Sequence, residues 1–257
     1  EAIENGFPVI IVDPEGEYAS LKELYKTIVV GGKYADVPIN EDMIEEYIKT
    51  ALLSDINLVF DISELFKSEQ DKIAAKILEA VFVLESKYRK PIFFVVEECQ
   101  IIAPQTPGGS KTLDMSIDLA KRGRKRGVNS IWISQRPASV SKDVISQCNI
   151  YLFGKLLQKH DLDQIKEHLQ RAGIDRDAIM NLDKDFFVYH GAETQKIRFR
   201  PLKMKDLAAT PLPGEEVEIK TVVKDKSLED AIRQLAELAE KRQKEEEERR
   251  DRIEQLE

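Results

Sequence analysis

The chain has 257 residues, 42% apolar and 33% charged, the composition of a folded domain with a heavily charged surface rather than of a disordered chain. Its 39 basic and 47 acidic residues leave a net charge of -8, which excludes nucleic-acid coating by bulk charge and leaves that role to local basic patches. There is no long apolar run to span a membrane, residues 1–6 do not resemble a signal peptide, and Cys99 and Cys148, far apart, fit a reducing cytoplasm better than a disulfide framework.

Phe7 to Val12 (FPVIIV) reads as a buried parallel strand that leaves its sheet through Asp13-Pro14-Glu15-Gly16-Glu17-Tyr18. Residues 20–28 are expected to form a short helix, broken by Gly31-Gly32. Met43, Ile44, Tyr47, Ile48 and Leu52 recur at helical spacing within 41–53. Asn57 to Ile62 is a second strand, weakened by Asp61. Residues 72–88 form a strong helix with Ile73, Ile77, Leu78, Val81 and Leu84 along one side. Pro91 then opens the run IFFVV, which stops abruptly at Glu97-Glu98. A loop over 103–111 holds Pro104, Pro107, Gly108 and Gly109, and a helix follows over 113–125. The strand 128–133 ends in Ser134-Gln135-Arg136-Pro137. A helix over 140–147, a strand over 150–153, a helix over 162–169 and a hairpin of 186–190 with 196–199 follow.

Strands alternating with helices predict an α/β fold with a parallel sheet. Asp13, Glu97, Glu98 and Gln135 all fall just past strand ends, the edge where open α/β sheets bind ligands. From Lys205 the composition changes. The expected division is a domain over 1–204, a linker over 205–226 and a charged amphipathic helix over 227–257. Ser227 is the expected cap of that helix. Its stripe of Leu228, Ile232, Leu235 and Leu238 needs a partner surface, whereas 240–252 has no apolar residue and reads as a solvated rod.

Two carboxylates after a buried strand can divide a hydrolytic task. One holds a hydrated magnesium ion and the other takes a proton from water. The bland alternative is a solvated pair at a strand end. Along an extended backbone the two side chains point apart. Residues 121–126 hold five basic side chains in six, suited to phosphates of a nucleotide or of DNA, or simply to the end of a helix. Gln135 suits a γ-phosphate sensor or a plain strand cap. Tyr18 packs over the sheet edge or borders a nucleotide. His160, His168 and His190 lack metal-ligand spacing and read as structural or surface groups, and Trp132 reads as core.

Taken together, VIIVDPEGEY, PIFFVVEE, KRGRKRGV and ISQRP with the following Val144–Asn149 resemble the catalytic domain of HerA-type hexameric DNA translocases, in the FtsK–HerA branch of the RecA-like P-loop ATPases. The similarity covers roughly residues 1–204. It implies a RecA-like, mostly parallel sheet with flanking helices, ATP and Mg2+ as cofactors, duplex DNA as substrate and a homo-hexameric ring. Archaeal members of the family work with a NurA-type nuclease in DNA-end processing. Carried over by motif, Glu97 takes the acidic magnesium-water position, where an aspartate is more common in related ATPases, and Glu98 that of the catalytic base. Arg124 takes the place of an arginine reaching a nucleotide across the subunit interface, and Gln135 that of the γ-phosphate sensor. Asp13 and Glu17 match the second-strand motif and, with Arg136, stand on the nucleotide side. Lys111, Lys125 and Arg126 are the expected DNA contacts.

One departure matters. The chain contains no GxxxxGK[ST], which in the family lies a helix length before the first strand read here. The phosphate-loop strand is therefore expected to be missing, the chain to be a piece of a longer ATPase, and the piece alone to be inactive. The rivals are a conjugation or secretion-type ring ATPase, and a degenerate, non-catalytic module that assembles partners and binds nucleic acid.

Overall fold

The computed structural model describes residues 1–105, 110–201, 203–205, 207, 218–221, 223 and 225–254. The expected loop tip at 106–109 and most of the expected linker lie outside the described residues. In chain order the elements are β1 (Val9–Asp13), β2 (Thr27–Val30), α1 (Ile44–Ser54), β3 (Asn57–Asp61), α2 (Lys67–Tyr88), β4 (Ile92–Val96), α3 (Lys111–Arg122), β5 (Val128–Trp132) and α4 (Lys142–Ile145). They continue with β6 (Ile150–Phe153), α5 (Lys159–Gln164), α6 (Lys166–Ala172), α7 (Arg176–Met180), β7 (Asp185–His190), β8 (Glu193–Arg198) and α8 (Lys226–Glu254).

Strands β1 to β5 form one parallel sheet in the order β2-β3-β1-β4-β5. Their runs of Val, Ile and Phe suit a pleated surface covered on both sides. Alternate residues serve opposite faces. Ile10, Val12, Leu58, Phe60, Phe94 and Val96 meet α1, α2 and α8. Val9, Ile11, Val29, Val59 and Val95 face the opposite way, toward Ala19, Leu21 and the N-terminal segment. The sheet with its flanking helices is RecA-like, with a C-terminal helical extension.

The expected helix over 20–28 is corrected. Only Ala19–Glu23 turns, as a 3-10 helix, and Thr27–Val30 is a fully buried strand. Four consecutive β-branched side chains, Thr-Ile-Val-Val, favour the extended chain. The expected helix over 140–147 shrinks to α4. That over 162–169 becomes two short helices meeting at Ile165, and α7 was not foreseen. Strand β6 stands outside the parallel sheet. It pairs antiparallel with β7, and β7 with β8, packing Phe153 on Leu162, Ile165, Leu169 and Ile179.

Helix α8 buries Leu228, Ala231, Leu235 and Ala239 in the main core beside α1, so the partner its stripe needs lies within the same chain. Its cap is Asp225 rather than Ser227. The Asp225 carboxylate accepts the backbone N–H of Ser227 at 2.9 Å and of Leu228 at 3.1 Å.

The two edges of the parallel sheet differ. The outer edge of β2 is closed by the following loop: Val29 N–H donates to the Asp36 carboxylate at 2.8 Å, Asp36 N–H to Val29 C=O at 2.8 Å, and Gly31 N–H to Val37 C=O at 3.1 Å. Strand β5 is the other outermost strand among the described residues, and Ile131 on it is 41% exposed. Ile150 and Leu152 on β6, at the edge of the small sheet, are also exposed.

Candidate active site

Parallel strands bring β1, β3, β4 and β5 to one carboxyl edge, where Asp13, Asp61, Glu97 and Ser134 follow in turn. Asp13 is fully buried and serves the loop after it. Its carboxylate accepts the backbone N–H of Glu15 at 3.3 Å, Gly16 at 2.8 Å and Tyr18 at 2.9 Å. Burial raises its pKa above the ordinary value and neighbouring Asp61 adds to this, while the backbone donors pull it down. The wrapped loop delivers Tyr18, whose hydroxyl donates to Glu97 Oε2 at 2.7 Å. Glu97 is nearly buried, and burial raises its pKa. The Tyr18 bond opposes that rise and the charge of Glu98 reinforces it. The Tyr18 phenol is pushed up by burial and then by Glu97.

Asp61, read in the sequence only as an interruption of its strand, is a further member of this edge. It lies opposite Asp13 in register and accepts both the backbone N–H of Ser63 at 3.0 Å and its hydroxyl at 2.6 Å. Gly32 passes so close that a Cβ there would sit 2.0 Å from Asp61 Oδ2, and with φ +69 it holds a conformation that favours glycine. The signal was available: Asp61 ends its strand as Asp13 ends β1.

Glu97 and Glu98 do part, although neither is extended: both lie in the turn that follows β4. Glu97 turns toward the β1 loop. The Glu98 carboxylate instead accepts from the amide of Gln100, two residues on in the same turn. Glu98 has φ +41, an uncommon conformation for a side-chain-bearing residue. The turn beyond β4 is stitched to both neighbours, by Glu97 N–H to Val12 C=O at 3.1 Å and Cys99 N–H to Ile133 C=O at 2.8 Å. Gln100 escaped the sequence reading because nothing local marks it.

The remaining expected site residues are dispersed. Gln135 is exposed at the end of β5. Arg136 Nε lies 3.3 Å from the carboxylate of buried Asp161 on α5, which also accepts Ala138 N–H at 3.0 Å. Glu17 is half-buried within the Asp13 loop. Arg124 and Lys125 are exposed on the 3-10 turn Gly123–Arg126, which leads into β5. They therefore stand at the amino edge of the sheet, about 17 Å from the carboxyl edge for a five-residue strand. Arg126 is engaged with α2: its Nε donates to Ser86 Oγ at 2.6 Å and its guanidinium lies 4.0 Å from the Phe82 ring centroid. Lys111 opens α3 on the carboxyl side and pairs with Glu79 at 2.6 Å. Lys111 and Arg126 thus both meet α2, at Glu79 and at Ser86 about two turns further along it.

Among the described residues no group of three His, Cys, Asp or Glu side chains is poised to hold a metal ion. A single carboxylate, that of Glu97, would suit a magnesium ion that keeps its waters and takes its other ligands from substrate phosphates. His168 packs against Tyr151 with ring centroids 4.5 Å apart, and burial lowers its pKa. His160 and His190 are exposed. Trp132 is half-buried against the core, its indole N–H donating to Ser130 Oγ at 3.1 Å.

No family model matches the chain. It is 32% identical over 143 residues to the protein named "Probable helicase MJ1565" of Methanocaldococcus jannaschii, covering 52% of this chain and 25% of that protein. To the DNA double-strand break repair helicase HerA of Pyrococcus furiosus it is 28% identical over 167 residues, 51% of this chain and 29% of that one. To the HerA helicase of Sulfolobus acidocaldarius it is 27% identical over 186 residues, 67% of this chain and 37% of that one. The chain thus spans about a quarter to somewhat over a third of the length of these relatives. Among solved structures, the genome packaging NTPase B204 of Sulfolobus turreted icosahedral virus 2, in complex with sulfate, is 13% identical with a TM-score of 0.49, covering 77% of this chain and 98% of that one.

Proposed function

We propose that this chain is part of the motor domain of a ring ATPase that drives duplex DNA, of the HerA type, with a role in DNA-end processing. The observation that carries the reading is the Glu97–Glu98 pair, set past the end of a buried central strand, with Glu97 held by Tyr18 of the β1 loop and Glu98 by Gln100. The similarity to three curated helicases supports it. In this reading Glu97 would hold the water shell of Mg2+ bound with ATP, which would supply positive charge against the phosphates. Glu98 takes the proton of the attacking water. Gln135 and Arg136 meet the γ-phosphate side, while Asp13 and Glu17 shape the loop that braces Glu97. Arg124, at the far edge of the sheet, serves the nucleotide of a neighbouring subunit in a homo-hexamer. Lys111, Lys125 and Arg126 belong to the DNA-facing surfaces, and a NurA-type nuclease is the proposed partner in a cytoplasmic complex.

The phosphate cradle is not among these residues, since the chain has no GxxxxGK[ST]. The outer edge of β5, at the opposite side of the sheet from the closed edge of β2, is the proposed berth of the phosphate-loop strand in the intact ATPase. The 257-residue chain alone is therefore expected to hydrolyse no ATP. In the intact ATPase, Glu98→Gln keeps the size and hydrogen bonding of the side chain but loses the proton acceptor. Nucleotide affinity should hold while turnover falls by about 10²–10⁴-fold. Calorimetric binding and single-turnover hydrolysis measure the two separately, and wild-type turnover by Glu98→Gln would remove the base assignment.

A further inference from the structure

An ionised carboxylate has no proton to give, so whatever aims Glu98 must donate to it. Gln100 does, through Nε2 to Glu98 Oε2. This leaves the amide oxygen of Gln100 facing Ser134, whose hydroxyl donates to it at 2.5 Å. With its proton committed, Ser134 Oγ accepts the backbone N–H of Arg136 at 2.9 Å. Every polar atom in this chain of bonds has the one role its neighbours leave open. It starts in the turn after β5 and ends on the carboxylate of Glu98. The main chain of Glu98 is fixed separately, by Ile101 N–H donating to its carbonyl at 2.8 Å.

We propose that Gln100 is a positioning residue for Glu98, and that through Ser134 it couples the aim of that carboxylate to the Ser134–Gln135–Arg136 turn. The inference rests on the reading of Glu98 as proton acceptor. Its physical content is mechanical. Gln135 is exposed between the two residues that anchor the relay, and Arg136 ties the turn to buried Asp161. A ligand that draws on Gln135 shifts Ser134, and the amide of Gln100 carries that shift to the base. Hydrolysis is thereby tied to occupancy of the turn rather than to nucleotide binding alone.

The test uses the intact ATPase and reads kcat, nucleotide KM and thermal midpoint together. Gln100→Glu is nearly isosteric, removes the donor and opposes the charge of Glu98. It should lower kcat by about 10–100-fold with KM within about twofold and little change in thermal midpoint. Ser134→Ala should lower kcat less, and Ser134→Thr, which keeps the hydroxyl, should restore it. Because Ser134 acts through Gln100, the double variant Gln100→Ala/Ser134→Ala should be no worse than Gln100→Ala alone. Wild-type kcat in Gln100→Glu, or losses that simply add in the double variant, would overturn the relay. Glu98→Gln run alongside separates the two levels. If it is silent while Gln100→Glu is normal, only the positioning role falls; if it turns over normally, the reading of the site falls and the positioning role with it.

Discussion

Tyr18 reaches across from the β1 loop to a carboxylate 79 residues later in the chain. The bond supplies the buried Glu97 carboxylate with a donor in place of water and opposes the rise in its pKa that burial imposes. Tyr18→Phe leaves Glu97 Oε2 without that donor. It should destabilise the fold by about 1–2 kcal/mol, an effect read by urea unfolding. The loss should shrink in acid, where a protonated Glu97 no longer needs the donor. An equal loss at every pH would show that ring packing, not the hydroxyl, is what Tyr18 provides. Glu97 and Glu98 could be found in the sequence because an apolar run ends on them. Tyr18 stood among two readings, and its contact with Glu97 could not be chosen from local pattern. The Ser134–Gln100 bond joins residues 34 apart through the pairing of β4 and β5, a tertiary fact with no trace in either segment.

At the scale of elements, α2 carries an unusual burden. Glu85, near its C-terminal end, is fully buried among apolar neighbours, and neither carboxylate oxygen makes a well-formed hydrogen bond. Burial pushes its pKa up to about 7, while Lys90, through its backbone N–H and its charge, pulls the other way. The ordinary value is 4.5, so between the two the folded chain holds a proton that the unfolded chain has lost. Stability left intact below pH 4.5 is therefore lost as the pH rises through 7. Glu85→Gln should flatten that decline, raising stability by about 2–3 kcal/mol at pH 8 and changing it little at pH 4.5. Urea titrations at the two pH values measure this, and parallel curves for the two proteins would refute it. The amphipathic pattern of α2 was plain in the sequence, but a glutamate on its buried side is invisible until α1 and α3 close over it. Strand β2 was misread for a related reason. Four residues are too few for a period to declare itself, and the flanking glycines punctuate helices and strands alike.

At the scale of the whole molecule, the basic turn before β5 and the acidic edge after β4 stand at opposite ends of the sheet. Within one chain Arg124 does not reach Glu98, so its proposed role requires a second subunit. In the intact ATPase, Arg124→Ala should leave nucleotide affinity nearly unchanged and reduce turnover of the assembled ring. Mixing it with Glu98→Gln creates interfaces that pair an intact Glu98 with an intact Arg124. Partial recovery of activity is the expected outcome. Continued silence, with mixed rings verified by native mass spectrometry, would count against action between subunits. The alternation of strands and helices disclosed the parallel sheet from sequence. It did not disclose that β6 would leave it, because a short apolar strand carries no label for its partner.

The outer flank of β5 also governs how this polypeptide behaves in a test tube. Among the described residues no strand pairs with its outer side and Ile131 on it is exposed, and such an edge is a template onto which an extended chain can add. Two copies meeting flank to flank would satisfy each other, so the isolated 257-residue chain should associate as its concentration rises. Sedimentation velocity would show the sedimentation coefficient climbing with concentration, and Ile131→Lys should hold it at the monomer value without lowering the thermal midpoint.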